Sequence, residues 1–445
     1  MKLNFYLVKS SLVGALGGLL FGFDTAVIAG TTRALTSTFG LTSPQLGFTV
    51  SIALWGTVLG AMITGILGEQ LGGRGALRIM AALYVLSALG CAFAWNWPAL
   101  LIFRFICGIG IGGSSVLGPV YIAEIAPAKW RGRLVGMFQI NVVVGILLAY
   151  GSNFCLARLN LGPALWHYQL GIAAIPAIIF LALLFAIPIS SRWLVTQNRI
   201  DEARQVLELI GSPNSDEELQ EIVRSIHLDR AARHEHVFSR KYRFPIFLAI
   251  TLGMFNQLSG INAILYYLND IFAAAGFNSV SSNLQAVVIG ATNLLATLLA
   301  MSLIDKLGRK TLLLVGSVGM VICLLGVAIL FARHARSMSL LWLLVGFIVS
   351  FAISQGSVIW VYISEIFPSR VRSRGQSIGS SAHWNQRRDC NHFSNGSCEI
   401  DSPPVLFLCR NDGPALCSRS VCLPRDKARQ FGADLGQSWN RIAAT

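Results

Sequence analysis

Charged residues are scarce in this sequence. Only 13% of the 445 residues are Asp, Glu, Lys or Arg, whereas water-soluble domains contain about one quarter. Hydrophobic residues make up 54% of the chain. This balance leaves too little polar surface to cover a water-soluble globule, so it excludes a soluble protein.

Features of several other protein classes are also missing. The cysteines show neither metal-ligand spacing nor a disulfide framework. The glycines at 108, 110, 112 and 113 follow no strand, so they indicate close helix packing rather than a nucleotide-binding loop. No nucleophile, base or metal cluster occurs within the apolar runs. We therefore expect neither an enzyme nor a cofactor.

Apolar runs of about 20 residues, the length that crosses a bilayer, recur along the chain. The first is too long for a signal-peptide core, so we expect it to be retained. A polar stretch with two helical segments, IDEARQVLELI and DEELQEIVRSIHLD, separates two groups of runs. The pattern predicts an all-α polytopic membrane protein. The predicted spans lie near 7–30, 46–68, 77–95, 99–121, 133–155, 168–188, 245–268, 282–304, 311–331 and 340–363, and a further one begins around Gly375.

The net charge of +14 reflects the distribution of Lys and Arg in alternate short loops. Such loops face the cytoplasm, and Arg33, Arg158, Arg333 and Arg336 are exceptions on the other side. We therefore expect a multi-pass protein of the plasma membrane with a cytoplasmic N-terminus, in contact with lipid and not with nucleic acid.

The chain contains an internal repeat. GEQLGGR at 68–74 is similar to IDKLGRK at 304–310, and AEIAPAKWRGR at 123–133 is similar to SEIFPSRVRSRG at 364–375. Parallel repeats predict two six-helix halves with a binding site between them near the middle of the membrane. The predicted units are an N-terminal half at 1–188, a cytoplasmic helical linker at 189–243, a C-terminal half at 244–384 and an aberrant polar tail at 385–445.

Seven ordered motifs make the chain resemble a sugar porter of the major facilitator superfamily over roughly residues 7–384. They are LLFGFDTAVIAG, RFICGIGIGG, YIAEIAPAKWRGR, PISSRWL, NQLSGINAILYY, DKLGRK and VYISEIFPSRVRSRG. The resemblance implies the major facilitator fold, a monosaccharide substrate and a monomer. Ile146 stands where many relatives have a sugar-binding Gln, so the identity of the sugar stays open.

The resemblance also implies a proton-coupling pair, Asp24 and Arg104. A charge inside a span costs about 2.5–3.5 kcal/mol on insertion scales, so these residues are expected to face one another. Protonation would neutralise Asp24 and release Arg104, and this would couple the proton gradient to helix packing. The alternative is a structural ion pair.

Sugar hydroxyls favour amide side chains, and the flat apolar face of a sugar favours an aromatic ring. The resemblance places sugar contacts on the seventh, eighth and tenth spans, where SGIN can loosen the seventh helix. The alternatives are ordinary interhelical hydrogen bonds for the amides and packing for the tryptophan. The implied contacts are Asn256, Gln257, Asn262, Tyr266, Asn293 and Trp360.

Charged residues at the cytoplasmic ends of spans form a candidate cytoplasmic gate, a salt-bridge network that latches the outward-open state. Isolated surface pairs contribute about 0–1 kcal/mol, so a latch needs a network. The alternative is anchoring by positive loops. The candidates are Glu69, Arg74, Glu124, Arg131, Asp305, Arg309, Glu365 and Arg372.

The character of the chain changes after Trp384, where the eleventh predicted span should continue. Residues 385–445 contain eight basic, six acidic and five cysteine residues. Back-translation from Asn385, read one base later, permits Ile, Asn, Ala, Ala, Ile, Ala, Ile, Thr, Phe, Pro, Met. We hypothesise a single-base frame change near codon 384; the alternative is a divergent soluble tail.

Taken together, these features predict a sugar:proton symporter that works by alternating access. A facilitative uniporter, a truncated nonfunctional transporter and a membrane sugar sensor are the alternatives.

Overall fold

The computed structural model describes residues 4–127, 130–159, 161–211, 214–231, 243–277, 279–333 and 339–358. Within these ranges every regular element is helical. The helices are α1 Phe5–Val27, α2 Thr32–Phe39, α3 Ser43–Ala92, α4 Trp97–Ile125, α5 Arg131–Ala157, α6 Leu165–Gly171, α7 Ala174–Leu183, α8 Ser191–Thr196, α9 Ile200–Ile210, α10 Ser215–Ala231, α11 Arg243–Leu258, α12 Ile261–Tyr266, α13 Leu268–Ala274, α14 Ser279–Leu307, α15 Arg309–Ala332 and α16 Ser339–Phe351. Short 3-10 turns occupy Ile28–Gly30 and Gly162–Ala164, and a π-helical turn, Ala352–Gly356, follows α16.

The predicted spans appear as helices throughout the described part of the chain. Nine helical segments there are long and apolar enough to cross a membrane. The segment α3 has 50 residues and consists of two helices, one for each of two predicted spans, which meet at a kink where Gly72 has φ 74° and ψ 161°, a positive φ that favours glycine. The first ten predicted spans are therefore confirmed as helical. The end of the tenth and the eleventh, from Gly375, lie outside the described residues.

Helices α8, α9 and α10 lie together at one end of the bundle, which we call the linker side. The Asn4 side chain donates to the Leu209 backbone carbonyl at 2.9 Å, so the start of α1 is also on this side. Arg74 donates to the carbonyl of Ile187 at 2.8 Å. The other end, where α1 meets α2 and where α12 and α13 lie, is called the opposite side.

Two apolar clusters divide the interior. One joins the N-terminal helices to α8–α10 on the linker side, through residues such as Leu77, Phe180 and Leu207. The other crosses between the N-terminal and C-terminal helices on the opposite side, and it includes Ile28 and Phe272. Because apolar burial is continuous there, the two sets of helices are closed against each other at the opposite side.

Glycines allow the close helix approach predicted for the fourth span. A Cβ added to Gly108 would lie 1.9 Å from the Ala53 carbonyl oxygen, and one added to Gly112 would lie 2.0 Å from the Thr57 carbonyl oxygen. Both distances are far shorter than any non-bonded contact allows. These two glycines therefore bring α3 and α4 into backbone contact and set the position of Arg104.

Candidate functional site

Asp24 and Arg104 face each other, as predicted. Arg104 Nη1 lies 3.6 Å from Asp24 Oδ1, and Arg104 Nε donates to the backbone carbonyl of Thr49 at 3.1 Å. The Arg104 side chain is 2% exposed and that of Asp24 is 16% exposed. A guanidinium buried this deeply depends on its partners, so a change of charge on Asp24 acts directly on the contacts of α4 with α1 and α3.

A small cavity of about 20 Å³ adjoins the pair. A cavity of this size holds about one water molecule. The Cys107 thiol donates to Asp24 Oδ1 at 3.4 Å, and the Tyr84 hydroxyl lies 3.2 Å from that of Ser114. The site can therefore hold a proton, a water molecule and a buried charge. The lining residues are Leu20, Asp24, Val27, Tyr84, Ser87, Ala88, Cys91, Arg104, Cys107, Leu170 and Ala173.

The predicted sugar contacts of the seventh span lie at a break in the helix. Helix α11 ends at Leu258, and α12 begins at Ile261 after Gly260, which has φ 78°. The break brings Asn262 Nδ2 within 2.7 Å of Gln257 Oε1. The SGIN sequence thus loosens the helix as predicted, and it turns amide groups toward one another across the interruption.

The other amides are buried. Asn256 is 5% exposed and Asn293, on α14, is 6% exposed. The Oδ1 atom of Asn256 is buried without a hydrogen-bond partner in the described structure, and such a group usually has a water or ligand partner. Trp360 lies outside the described residues.

Helix α12, which carries Tyr266, connects the two predicted sites. Tyr266 is 4% exposed at the end of α12, and α12 packs against α1, the helix that carries Asp24. One residue earlier, the Leu265 carbonyl accepts a hydrogen bond from the Tyr150 hydroxyl at 2.9 Å, which joins α5 to α12. The Asp24–Arg104 pair and the broken seventh span therefore lie on helices that pack against each other.

An ion pair joins the N-terminal and C-terminal helices at the opposite side. Arg33 Nε on α2 lies 3.3 Å from Asp270 Oδ1 on α13. Burial raises the pKa of the Asp270 carboxyl, while hydrogen bonding from Thr32 and the charge of Arg33 act in the lowering direction. Because burial has the largest effect, the ionised pair holds the closed arrangement only weakly.

The gate candidates of the N-terminal helices contact that half or the adjoining linker. The Trp193 indole donates to the Glu69 carbonyl at 3.0 Å, Arg74 bonds Ile187 as described above, and Glu124 is hydrogen-bonded to Ser190. Arg131, the first residue of α5, is exposed.

Among the candidates of the C-terminal helices, Arg309 donates to the Ile304 carbonyl at 3.3 Å. The Asp305 side chain, Glu365 and Arg372 are outside the described structure. The cytoplasmic gate therefore stays a prediction.

Four residues that take part in the contacts described above were not identified from the sequence. They are Thr49, whose carbonyl accepts from Arg104; Cys107, which bonds Asp24; and the pair Arg33 and Asp270. For Cys107 a signal was present, because a residue three positions after Arg104 lies on the same helix face. No sequence signal marks a backbone carbonyl or a pair 237 residues apart.

Comparison with known families and proteins gives a consistent result. The family model described as "Sugar (and other) transporter" matches residues 10–386. The chain is 35% identical over 415 residues to the D-xylose-proton symporter of Escherichia coli (strain K12), with 85% of this chain and 83% of that protein covered. It is 33% identical over 389 residues to the arabinose-proton symporter of Bacillus subtilis (strain 168), with 85% and 83% covered.

Solved structures agree. The partially occluded inward-open conformation of the xylose transporter XylE from E. coli matches with a TM-score of 0.84 and 30% identity, covering 94% of this chain and 98% of that chain. The inward-open conformation of the same transporter matches with a TM-score of 0.81 and 31% identity, covering 94% and 97%.

Proposed function

Since the chain belongs to the sugar transporter family, whose model matches residues 10–386, we propose that it is a monosaccharide:proton symporter of the major facilitator fold. The similarity to proteins named as D-xylose-proton and arabinose-proton symporters supports a pentose or hexose as substrate. The single observation that carries the proton step is the buried Asp24–Arg104 pair beside a cavity of water size.

The proton step acts on the charge of Asp24. The ionised carboxylate attracts Arg104 across 3.6 Å, and a proton on Asp24 removes that attraction while Arg104 keeps its bond to Thr49. The buried guanidinium then lacks a counter-charge, which is costly in a low-dielectric interior. Protonation therefore favours a different packing of α1 against α4, and this change in packing drives the conformational cycle.

The sugar site lies beside this pair. We assign the contacts to Asn256, Gln257, Asn262 and Tyr266 on the broken seventh span, with Asn293 from α14 and Trp360 completing it. The unpartnered Asn256 Oδ1 is an acceptor for a sugar hydroxyl. Because α12, which carries Tyr266, packs against α1, which carries Asp24, sugar binding and proton binding act on neighbouring helices.

Alternating access follows from closure at one side. The Arg33–Asp270 pair and the Tyr150–Leu265 bond close the opposite side, in line with the similarity to inward-open structures. We assign the linker side to the cytoplasm of a plasma membrane, which makes the N-terminus cytoplasmic, and we propose a monomer. The cytoplasmic gate closes the linker side in the other half of the cycle.

Neutralising Arg33 is expected to favour opening, whereas neutralising Asp270 is expected to leave closure unchanged. Arg33→Gln leaves the Asp270 carboxylate uncompensated at the interface and should favour opening by about five-fold. Burial raises the pKa of Asp270, which means that the buried carboxylate is costly to keep ionised. Asp270→Asn removes this costly charge, so closure is retained. The measurement is the labelling rate of Ile264→Cys, buried on α12 in the apolar cluster of the opposite side, by a membrane-impermeant thiol reagent from the opposite side.

The background for this experiment is Cys155→Ser, because Cys155 is exposed. Arg158→Gln is the matched control. Arg158 is a cation at the same side that lies over the Phe154 ring, 4.3 Å from its centroid, within the N-terminal helices. Equal labelling rates for Arg33→Gln and Arg158→Gln would reject the role of the pair in closure.

The proposed function is tested by uptake of labelled xylose, arabinose and glucose into sealed vesicles, with and without an inward proton gradient. Two proteins are compared: the 445-residue chain, and a version translated one base later after Trp384, called the reframed chain. Stimulation of uptake by the gradient in either protein supports symport. Uptake that ignores the gradient identifies a facilitator, and no uptake by either protein overturns the proposal.

A further inference from the structure

The ion pair alone does not account for how Asp24 is held. The 3.6 Å between Arg104 Nη1 and Asp24 Oδ1 is longer than a hydrogen bond. The Cys107 thiol, by contrast, donates to the same oxygen at 3.4 Å, a normal length for a sulfur donor. The Asp24 carboxylate therefore has two different partners on α4, a charge at longer range and a thiol in direct contact.

We propose that Cys107 is a positioning residue for the proton step, and that its thiol tunes the pH at which Asp24 takes up a proton. This inference rests on the proposed function. A thiol has one proton and is a weak donor. A donor stabilises the ionised carboxylate, so its bond opposes protonation of Asp24 and fixes the rotamer in which the carboxylate faces Arg104.

The Cys107 thiol has two neighbours that can accept its proton, the Asp24 carboxylate at 3.4 Å and the Ser87 hydroxyl oxygen, and the charged carboxylate is the stronger acceptor. Cys107 is 8% exposed and lies one helical turn after Arg104, so both side chains project from the same face of α4. Ser87, the other small polar residue lining the cavity, donates its hydroxyl proton to the Tyr84 carbonyl at 2.9 Å. Ser87 therefore does not donate to the carboxylate.

The surroundings of Asp24 contain few other groups that titrate or carry charge. The residues that α1, α6 and position 173 contribute to the cavity lining are apolar, apart from Asp24 itself. Tyr266 is the titratable residue of α12, which packs against α1. The titratable or charged residues lining the cavity are Tyr84 and Cys91 from α3, and Arg104 and Cys107 from α4.

Two substitutions are expected to act in opposite directions. Cys107→Ala removes the donor, so the pH of half-maximal uptake should move upward by about half a unit. Cys107→Ser supplies a stronger donor of similar shape, so the pH should move downward. A residue that only fills space would shift both variants alike or neither. Cys323→Ala, a partly buried cysteine of α15 that does not line the cavity, is the control and should leave the midpoint unchanged.

A second measurement does not depend on transport. The S–H stretching band of Cys107, assigned in the 445-residue chain by its loss in Cys107→Ala, is compared between the wild type and Asp24→Asn by infrared spectroscopy. A bond to a carboxylate lowers the frequency, so the band should rise when Asp24 is replaced. The uptake profiles are recorded for both the 445-residue and the reframed chain.

The two readouts separate this inference from the proposed function. If neither chain transports sugar, the symport proposal fails, whereas the S–H band still reports on the bond. If gradient-driven uptake occurs but the midpoint is the same in Cys107→Ala and Cys107→Ser, the role of Cys107 is overturned. An S–H band that does not respond to Asp24→Asn overturns it independently.

Discussion

Replacing Asp24 with asparagine is expected to abolish proton-driven accumulation of sugar while sugar exchange across the membrane continues. With one proton per sugar, a gradient of about two pH units supports up to about a hundred-fold accumulation. Asparagine has the shape of a protonated aspartate but cannot gain or lose a proton. The carrier can still change conformation with sugar bound, so exchange survives, but the gradient no longer does work and the accumulation ratio falls to about one.

The structural reason lies in the burial of Arg104. Its side chain is 2% exposed and depends on Asp24 and the Thr49 carbonyl. In the native chain the loss of the carboxylate charge is temporary, because the proton leaves again; in Asp24→Asn it is permanent. The variant is therefore fixed in the electrostatic state that follows proton uptake.

Asp270→Asn is the matched control for this experiment. Asp270 is also a carboxylate that faces an arginine, at 3.3 Å from Arg33, but it does not line the cavity beside Arg104. We expect accumulation to persist in Asp270→Asn. Exchange of labelled sugar, together with the folded state of the detergent-solubilised protein, shows whether the Asp24→Asn variant is correctly folded. Accumulation in Asp24→Asn at the wild-type level would contradict the assignment of the proton site.

The helices were predictable from the sequence because each depends on residues near one another in the chain. A run of apolar residues must form a helix to satisfy its backbone in lipid, so length and composition suffice. The break at Gly260 was predictable for the same reason, since the SGIN sequence weakens the helix locally. The division of α3 at Gly72 was predictable as well, since this non-helical glycine lies in GEQLGGR, between two predicted spans.

The contacts of the site were predictable only for residues whose charge is too costly to bury in a membrane without a partner. Asp24 and Arg104 each carry a charge that is costly in a membrane, and this cost implies that they meet. Arg33 was interpreted as an exception to the charge bias of the loops, because its partner Asp270 is 237 residues away. Contacts of this kind depend on how the helices pack, and no local pattern in a single sequence identifies them.

The reframed chain is expected to transport sugar about ten-fold faster or more than the 445-residue chain, because the two proteins differ in the last spans of the C-terminal half. The tail from Asn385 carries eight basic and six acidic residues. Each Asp, Lys or Arg at the centre of a span costs about 2.5–3.5 kcal/mol, so the composition of this tail is not that of a membrane span. The family match ends at residue 386, close to Trp384.

The control is a chain that stops after Trp384. If the tail contributes nothing, the stopped chain and the 445-residue chain transport equally slowly, and only the reframed chain is fast. Equal rates for the 445-residue and reframed chains would contradict the prediction and show that the tail completes the transporter. The nucleotide sequence gives an independent test, since the frame hypothesis requires an apolar run of span length in an alternative frame after codon 384. Without such a run, the tail is a divergent soluble segment, and slow transport would then have to arise within residues 1–384.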